Sequence, residues 1–186
     1  RAMILTRDTQ GAIAKLESLD DHIEQTRTPH LHAEYLTTLG HAYYARGLHG
    51  RIVSANTRAF EAARQLERSD LAFETSLRIA AFMGERREPA RARDWMLHAW
   101  VSANEDGSDD FKVRALITEG ILDVREGIAA PAHEKLNEAI TTQRAVTGGS
   151  DDLTVAEAMR QKGYAYKEQG LLLEATQAHQ RALTIF

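Results

Sequence analysis

The chain contains no cysteine, so disulfide frameworks, thiolate metal sites and cysteine nucleophiles are excluded together. Proline is scarce at three residues and aromatics make up 6%, which leaves long stretches free to run as uninterrupted helix. Neither sign of charge dominates: 23 basic residues stand against 27 acidic, for a net charge of -4. The basic stripe that nucleic-acid binding requires is lacking, and no direct nucleic-acid partner is expected. No run of about 18 apolar residues exists, and the opening RAMILTRDTQ lacks the apolar core of a signal peptide. No membrane association is expected, and the reading is of a cytoplasmic protein. A start at arginine and a stop at RALTIF, inside a helical pattern, suggest a piece of a longer protein.

What is present is self-similarity. SDDFKVRALITEGILDVREGIAAPAHEKLNEAI begins at Ser108 and SDDLTVAEAMRQKGYAYKEQGLLLEATQAHQRAL at Ser150, 42 residues later. AEYLTTLGHAYYARGLHGRIVSANTRAF, from Ala33, carries the same punctuation. The pairs Gly40/Gly47, Gly120/Gly127 and Gly163/Gly170 are each seven residues apart, and Ala59, Ala139 and Ala182 each follow the second glycine by twelve. A weaker copy, SDLAFETSLRIAAFMGERREPARARDWMLHAW, keeps Gly84 and has Pro89 42 residues before Pro131. This spacing places the second helices of those two copies in register.

Seven residues are about two helical turns, so both glycines of a pair share a face. The second is expected to end its helix in the left-handed conformation, and the first to let a neighbouring backbone approach. The alanines are expected to admit that neighbour on the facing helix. Ser108 and Ser150 fit as N-caps, with Asp109/Asp110 and Asp151/Asp152 at the positive helix end, and Pro89 and Pro131 suit first turns. Upstream, GAIAKLESLDDHI sets Ile13, Leu16 and Ile23 on one face, as the second helix of a preceding repeat.

These residues resemble the tetratricopeptide repeat, whose helix–turn–helix signature is W-x2-L-G-x2-Y…A-x3-F. Leu36, Leu39-Gly40, Tyr43, Gly47 and Ala59 carry it in the first full copy, and Gly163, Tyr166, Gly170, Ala175 and Ala182 in the last. Ile52, Lys162 and Asp123 depart from it, standing where the family prefers alanine, leucine and tyrosine. The period and the TTQRAVTGGSDDLTVAEA connection are similar to the kinesin-light-chain type, found as arrays in bacterial signalling proteins and kinases. The resemblance implies an all-α, right-handed superhelical solenoid of antiparallel helix pairs with about nine helices. The array would span 1–186: a partial repeat over 1–30, then repeats over 31–68, 69–107, 108–149 and a truncated 150–186.

It also implies a non-catalytic scaffold that binds a protein or peptide, without cofactor, in a groove lined by the first helices. Carried over position by position, the lining is Thr37, Thr38, His41 and Tyr44, then Glu74, Thr75, Arg78 and Phe82. The third copy adds Arg114, Ile117, Thr118, Ile121 and Arg125, and the fourth Arg160, Gln161, Tyr164 and Lys167. Five cations against Glu74, with Tyr44, Phe82 and Tyr164 between them, imply a peptide of acidic character. His41, Ile121 and Tyr164 occupy the positions of the carboxylate clamp found in some members, so capture of a C-terminal carboxylate is not implied. The alternative is a sensing domain that alters an attached kinase or transcription regulator when a ligand or peptide binds. A third reading is self-association through uncovered repeat ends.

Other chemistry is weaker. His30, His32, His41 and His49 lack any ordered ligand motif, so no metal is expected. The repeated aspartate pairs are explained by helix starts rather than acid–base catalysis. TGGS, at Thr147 to Ser150, lacks the strand and lysine of a phosphate loop, and no G-x-S-x-G elbow occurs. Trp95 and Trp100 read as packing residues in preference to an exposed hot spot, and GERREPARARD as a solvated turn and helix start.

Overall fold

The computed structural model describes residues 9–26 and 28–186; residues 1–8 of the opening stretch, and with them the head of the expected partial repeat, lie outside the described residues. The described residues form ten helices and no strand. They are α1 (Thr9–Glu17), α2 (Asp20–Thr26), α3 (Pro29–Arg46), α4 (His49–Gln65), α5 (Ser69–Glu85), α6 (Pro89–Asp106), α7 (Asp109–Arg125), α8 (Ala129–Val146), α9 (Leu153–Glu168) and α10 (Leu172–Leu183). The four expected pairs are α3/α4 through α9/α10.

The expected orphan helix comes as two pieces. Ser18 Oγ donates to the Lys15 carbonyl at 2.8 Å and Leu19 N–H to Leu16 O at 2.9 Å, so the chain tightens and breaks there. Ile13 and Ile23 are both buried but sit on different helices, which corrects the single Ile13–Leu16–Ile23 stripe. Both pieces pack on α3.

The chain forms two compact units. One runs through Met83 and resumes over Arg91–Asp106; the other takes Gly84–Ala90 and Gly107–Phe186. In the first, Ala33, Ala63, Leu71 and Ala72 form a buried cluster flanked by Phe60, Ala62 and Leu66. Trp95 on α6 meets Phe60 edge-on at 5.4 Å, so this tryptophan packs against a neighbouring helix. Trp100 is half-buried. In the second unit α7 packs on α8, α8 on α9 and α9 on α10, around Val113, Leu122, Leu136 and Val155.

The second glycine of each pair does what its position demands. Gly47, Gly127 and Gly170 have φ of 69°, 75° and 75°, and the next N–H reaches back five residues to Tyr43, Asp123 and Tyr166 respectively. This 6→1 closure satisfies carbonyls that the helix end would otherwise orphan. The first glycines lie against a second helix, but against a large side chain. A Cβ on Gly40, Gly120 or Gly163 would strike Asn56, Leu136 or His179. Ala59, Ala139 and Ala182 are buried three residues further on, so they are not what fills the glycine's space.

The register of the second copy differs from the expected one. α3, α5 and α7 begin at 40-residue intervals, and the longer Thr147–Asp152 connection delays α9. Pro89 therefore corresponds to Ala129, not to Pro131. Buried Ala80 holds the place of the first glycine, and Arg87, at φ 59°, that of the second. Gly84 lies inside α5, where an added Cβ would strike Leu122. Capping is also corrected in part. Ser108 holds the N-cap position of α7 through its extended backbone, with no side-chain bond. For α9 the cap is Asp152, not Ser150: one Asp152 carboxylate oxygen accepts the N–H groups of Thr154 and Val155, both at 3.0 Å.

Candidate functional site

A helix repeats its faces at intervals of three, four and seven residues, so what each residue of the first-helix row touches decides whether it faces solvent or a neighbour. In the first unit Thr38 is half-buried and donates to the Glu34 carbonyl at 2.8 Å; Thr37 and Thr75 are buried and bond likewise to their own helices. His41 is exposed and Tyr44 half-buried. Arg78 points inward: its side chain is 11% exposed, Nη1 donates to Asn56 Oδ1 at 2.8 Å, and Glu74 lies 3.9 Å from Nη2. Phe82 is buried and stacks on His49 with ring centroids 5.4 Å apart. Both belong mainly to packing between helices: Phe82 aligns with buried Ala42 and Leu122, a consequence of the shifted register, whereas Arg78 aligns with Thr38 and Thr118 of the row and is drawn inward by Asn56.

In the second unit Ile117 is buried, Ile121 half-buried, and Thr118 half-buried with its hydroxyl on the Arg114 carbonyl at 2.9 Å. Arg114 lies 3.7 Å from Asp110 and over the Phe111 ring; exposed Arg125 lies 3.9 Å from Glu85. Arg160 makes two bonds to Glu157, at 3.0 and 2.8 Å, and buried Gln161 donates to the same carboxylate at 2.7 Å. Burial raises the Glu157 carboxyl pKa, but Arg160 and Gln161 outweigh that effect and hold it below its usual value. Tyr164 is exposed, its ring edge-to-face with His179 at 5.0 Å, and Lys167 is exposed.

Each arginine of the row therefore already has a carboxylate neighbour. The excess of positive charge read from the row is locally neutralised by Glu74, Asp110 and Glu157, each on the same helix as its arginine, and by Glu85 at the end of α5. Their proximity follows from i, i+3 and i, i+4 spacing, a signal present in the sequence for all but Glu85.

Two departures from the repeat pattern acquire partners. Asp123 is buried and its carboxylate takes Lys135 Nζ at 2.7 Å, with Glu119 3.6 Å from the same nitrogen. Lys162 lines a cavity of about 330 Å3 between α8, α9 and α10, together with Arg144 and Arg181. In the sequence the one signal of this cavity is Lys162 itself, a cation where the repeat prefers leucine.

Beside this cavity, His133 has its ring 4.2 Å from Tyr166, and neither ring nitrogen has a hydrogen-bond partner. Burial pushes its pKa below that of an ordinary histidine, Lys162 adds to the shift, and the nearby Gln169 side chain opposes it without reaching bonding geometry. Among the described residues no three histidines or carboxylates gather as metal ligands, and no helix is long and apolar enough to cross a membrane.

Neither a family model nor a curated protein matches the chain. Among solved structures it is similar to BtubC (BKLC) from P. vanneervenii, with a TM-score of 0.80 and 18% identity, covering 98% of this chain and 76% of that one. The match runs along nearly the whole sequence. The chain has a tetratricopeptide-like helical-repeat fold, similar to that of the kinesin-light-chain-like protein BtubC.

Proposed function

We propose that the chain is a non-catalytic interaction module that binds a protein segment along its first-helix row. The observation that carries this reading is the helix-pair repeat fold along nearly the full length. Each pair places a first helix whose exposed positions are free of the work of packing. In the second unit the row combines an aromatic surface at Tyr164 with half-buried Arg114 and exposed Arg125 and Arg160, tyrosine and arginine being the residue types enriched at binding hot spots, and adds the charge of Lys167.

Because the arginines carry intramolecular carboxylates, a bound acidic segment exchanges partners with Asp110, Glu85 and Glu157. Surface pairs of this kind contribute about 0–1 kcal/mol, so the exchange costs little. The ligand is an extended or helical peptide with acidic side chains, and its affinity falls with salt.

Selection from a random peptide display library, followed by titration of the winners, tests this. The wild type should retain acidic peptides that an Arg114→Glu/Arg160→Glu/Tyr164→Ala variant of unchanged helicity does not bind. Peptides bound equally by both, or none retained by the wild type, would refute the assignment of the row.

A further inference from the structure

The cavity between α8, α9 and α10 lies apart from that row. Each helix lends it one stripe at helical spacing, and about 330 Å3 is the size of a small-molecule site. Its charge is unusual for a space between packed helices. Half-buried Lys162 donates from Nζ to the neutral Oδ1 of Asn137 at 2.6 Å, and Nζ lies 5.9 Å from the Tyr166 ring centroid. Arg144 reaches the cavity from α8, with its guanidinium on Asp151 at the rim, and Arg181 reaches it from α10. Among the cavity's lining residues Glu174 is the one carboxylate.

Three cations gathered with Glu174 and, at the rim, Asp151 leave one positive charge in excess in a partly desolvated space, which is unfavourable by itself. Burial, and then the charges of Arg181 and Arg144, push the Lys162 pKa down, which is the signature of a cation lacking a counter-charge. An anion placed among them supplies the missing counter-charge and offsets both the repulsion and the cost of burying Lys162. Lysine and arginine together satisfy a tetrahedral oxyanion with several charge-assisted bonds. Met159, Ile140 and the Tyr166 ring line the same cavity and offer an apolar wall.

We propose that this cavity binds a small organic phosphate monoester, its phosphoryl group held by Lys162 and Arg181 with Arg144 at the rim and its organic part against Tyr166. The site is independent of the first-helix row and survives if that assignment fails.

Titration of the whole 186-residue chain with phenyl phosphate, inorganic phosphate and, at matched ionic strength, chloride tests this by amide chemical shifts. Phenyl phosphate should saturate shifts at residues of α8, α9 and α10, inorganic phosphate should bind the same place more weakly, and chloride should not saturate. Lys162→Met and Arg181→Gln should each weaken binding by about 10-fold or more, whereas Arg114→Gln leaves it unchanged. Lys162→Met should also raise the melting temperature of the free protein and abolish the further rise that phenyl phosphate gives the wild type. Absence of saturation beyond the chloride control, or equal binding by both cavity variants, would overturn the proposal. Inorganic phosphate binding as tightly as phenyl phosphate would overturn its organic part.

Discussion

Arg78 donates to the side-chain oxygen of Asn56 at 2.8 Å, and the amide that receives the bond is wholly buried. The same Asn56 gives its Nδ2 hydrogen to the Ile52 carbonyl at 2.8 Å and occupies the space that Gly40 leaves open. One polar side chain thus joins α3, α4 and α5. Replacing Arg78 by methionine keeps much of the apolar stem but leaves Oδ1 of Asn56 without this donor. The expected cost is about 1–3 kcal/mol in urea unfolding. Asn56→Ala combined with Arg78→Met should cost less than the sum of the two single changes, since neither then orphans the other.

Gly120 sits where two effects oppose. Alanine is favoured over glycine by about 1 kcal/mol inside a helix. A Cβ there would lie 2.7 Å from Cγ of Leu136, the branch point of a fully buried side chain, so there is no flexible end to swing away. Overpacking of this kind costs about 1–3 kcal/mol, so it should outweigh the propensity gain and Gly120→Ala should lower the unfolding midpoint. In a Leu136→Ala background the same change should become neutral or stabilising. Persistence of the loss in that background would show that the close approach is not the cause.

The cap of α9 separates Asp152 from Ser150. Asp152→Ala should cost about 1 kcal/mol, whereas Ser150→Ala, which touches no helix N–H, should stay within about 0.5 kcal/mol of wild type. Burial raises the Asp152 carboxyl pKa, but bonds from the Val155 N–H, the Gln143 amide and the Thr154 N–H outweigh it and hold the carboxyl below its ordinary value. Its folded pKa lies below its unfolded one, so its stabilisation is complete above the unfolded value, about 3.9, and is lost as pH falls through the folded one. Urea midpoints measured from pH 7 downward should show wild type and Asp152→Ala converging in acid.

Much of the repeat was legible because its signals are local. A glycine after the last helical turn marks a left-handed residue wherever it occurs, and a second glycine two turns earlier marks a close approach on the same face. Where local signals were substituted, the reading slipped. Ala80 and Arg87 stand in for the two glycines of the second copy, and the slip carried Phe82, which aligns with buried Ala42 and Leu122, from a packed position to an expected surface one. Ser150, Asp151 and Asp152 offer three capping residues in succession, and only the backbone geometry chooses among them.

By itself the sequence determined the helix pairs, their turns and the small residues at their contacts, because each depends on neighbours within about two turns of chain. Tertiary structure decided what those contacts hold: Asn56, Leu136 and His179 in the glycine gaps, Lys135 on buried Asp123, and three cations around one cavity. Arg144, Lys162 and Arg181 lie on three helices, and the space they enclose exists only once those helices pack. Charge and volume at such a place depend on the distance between chain segments, which no local pattern encodes.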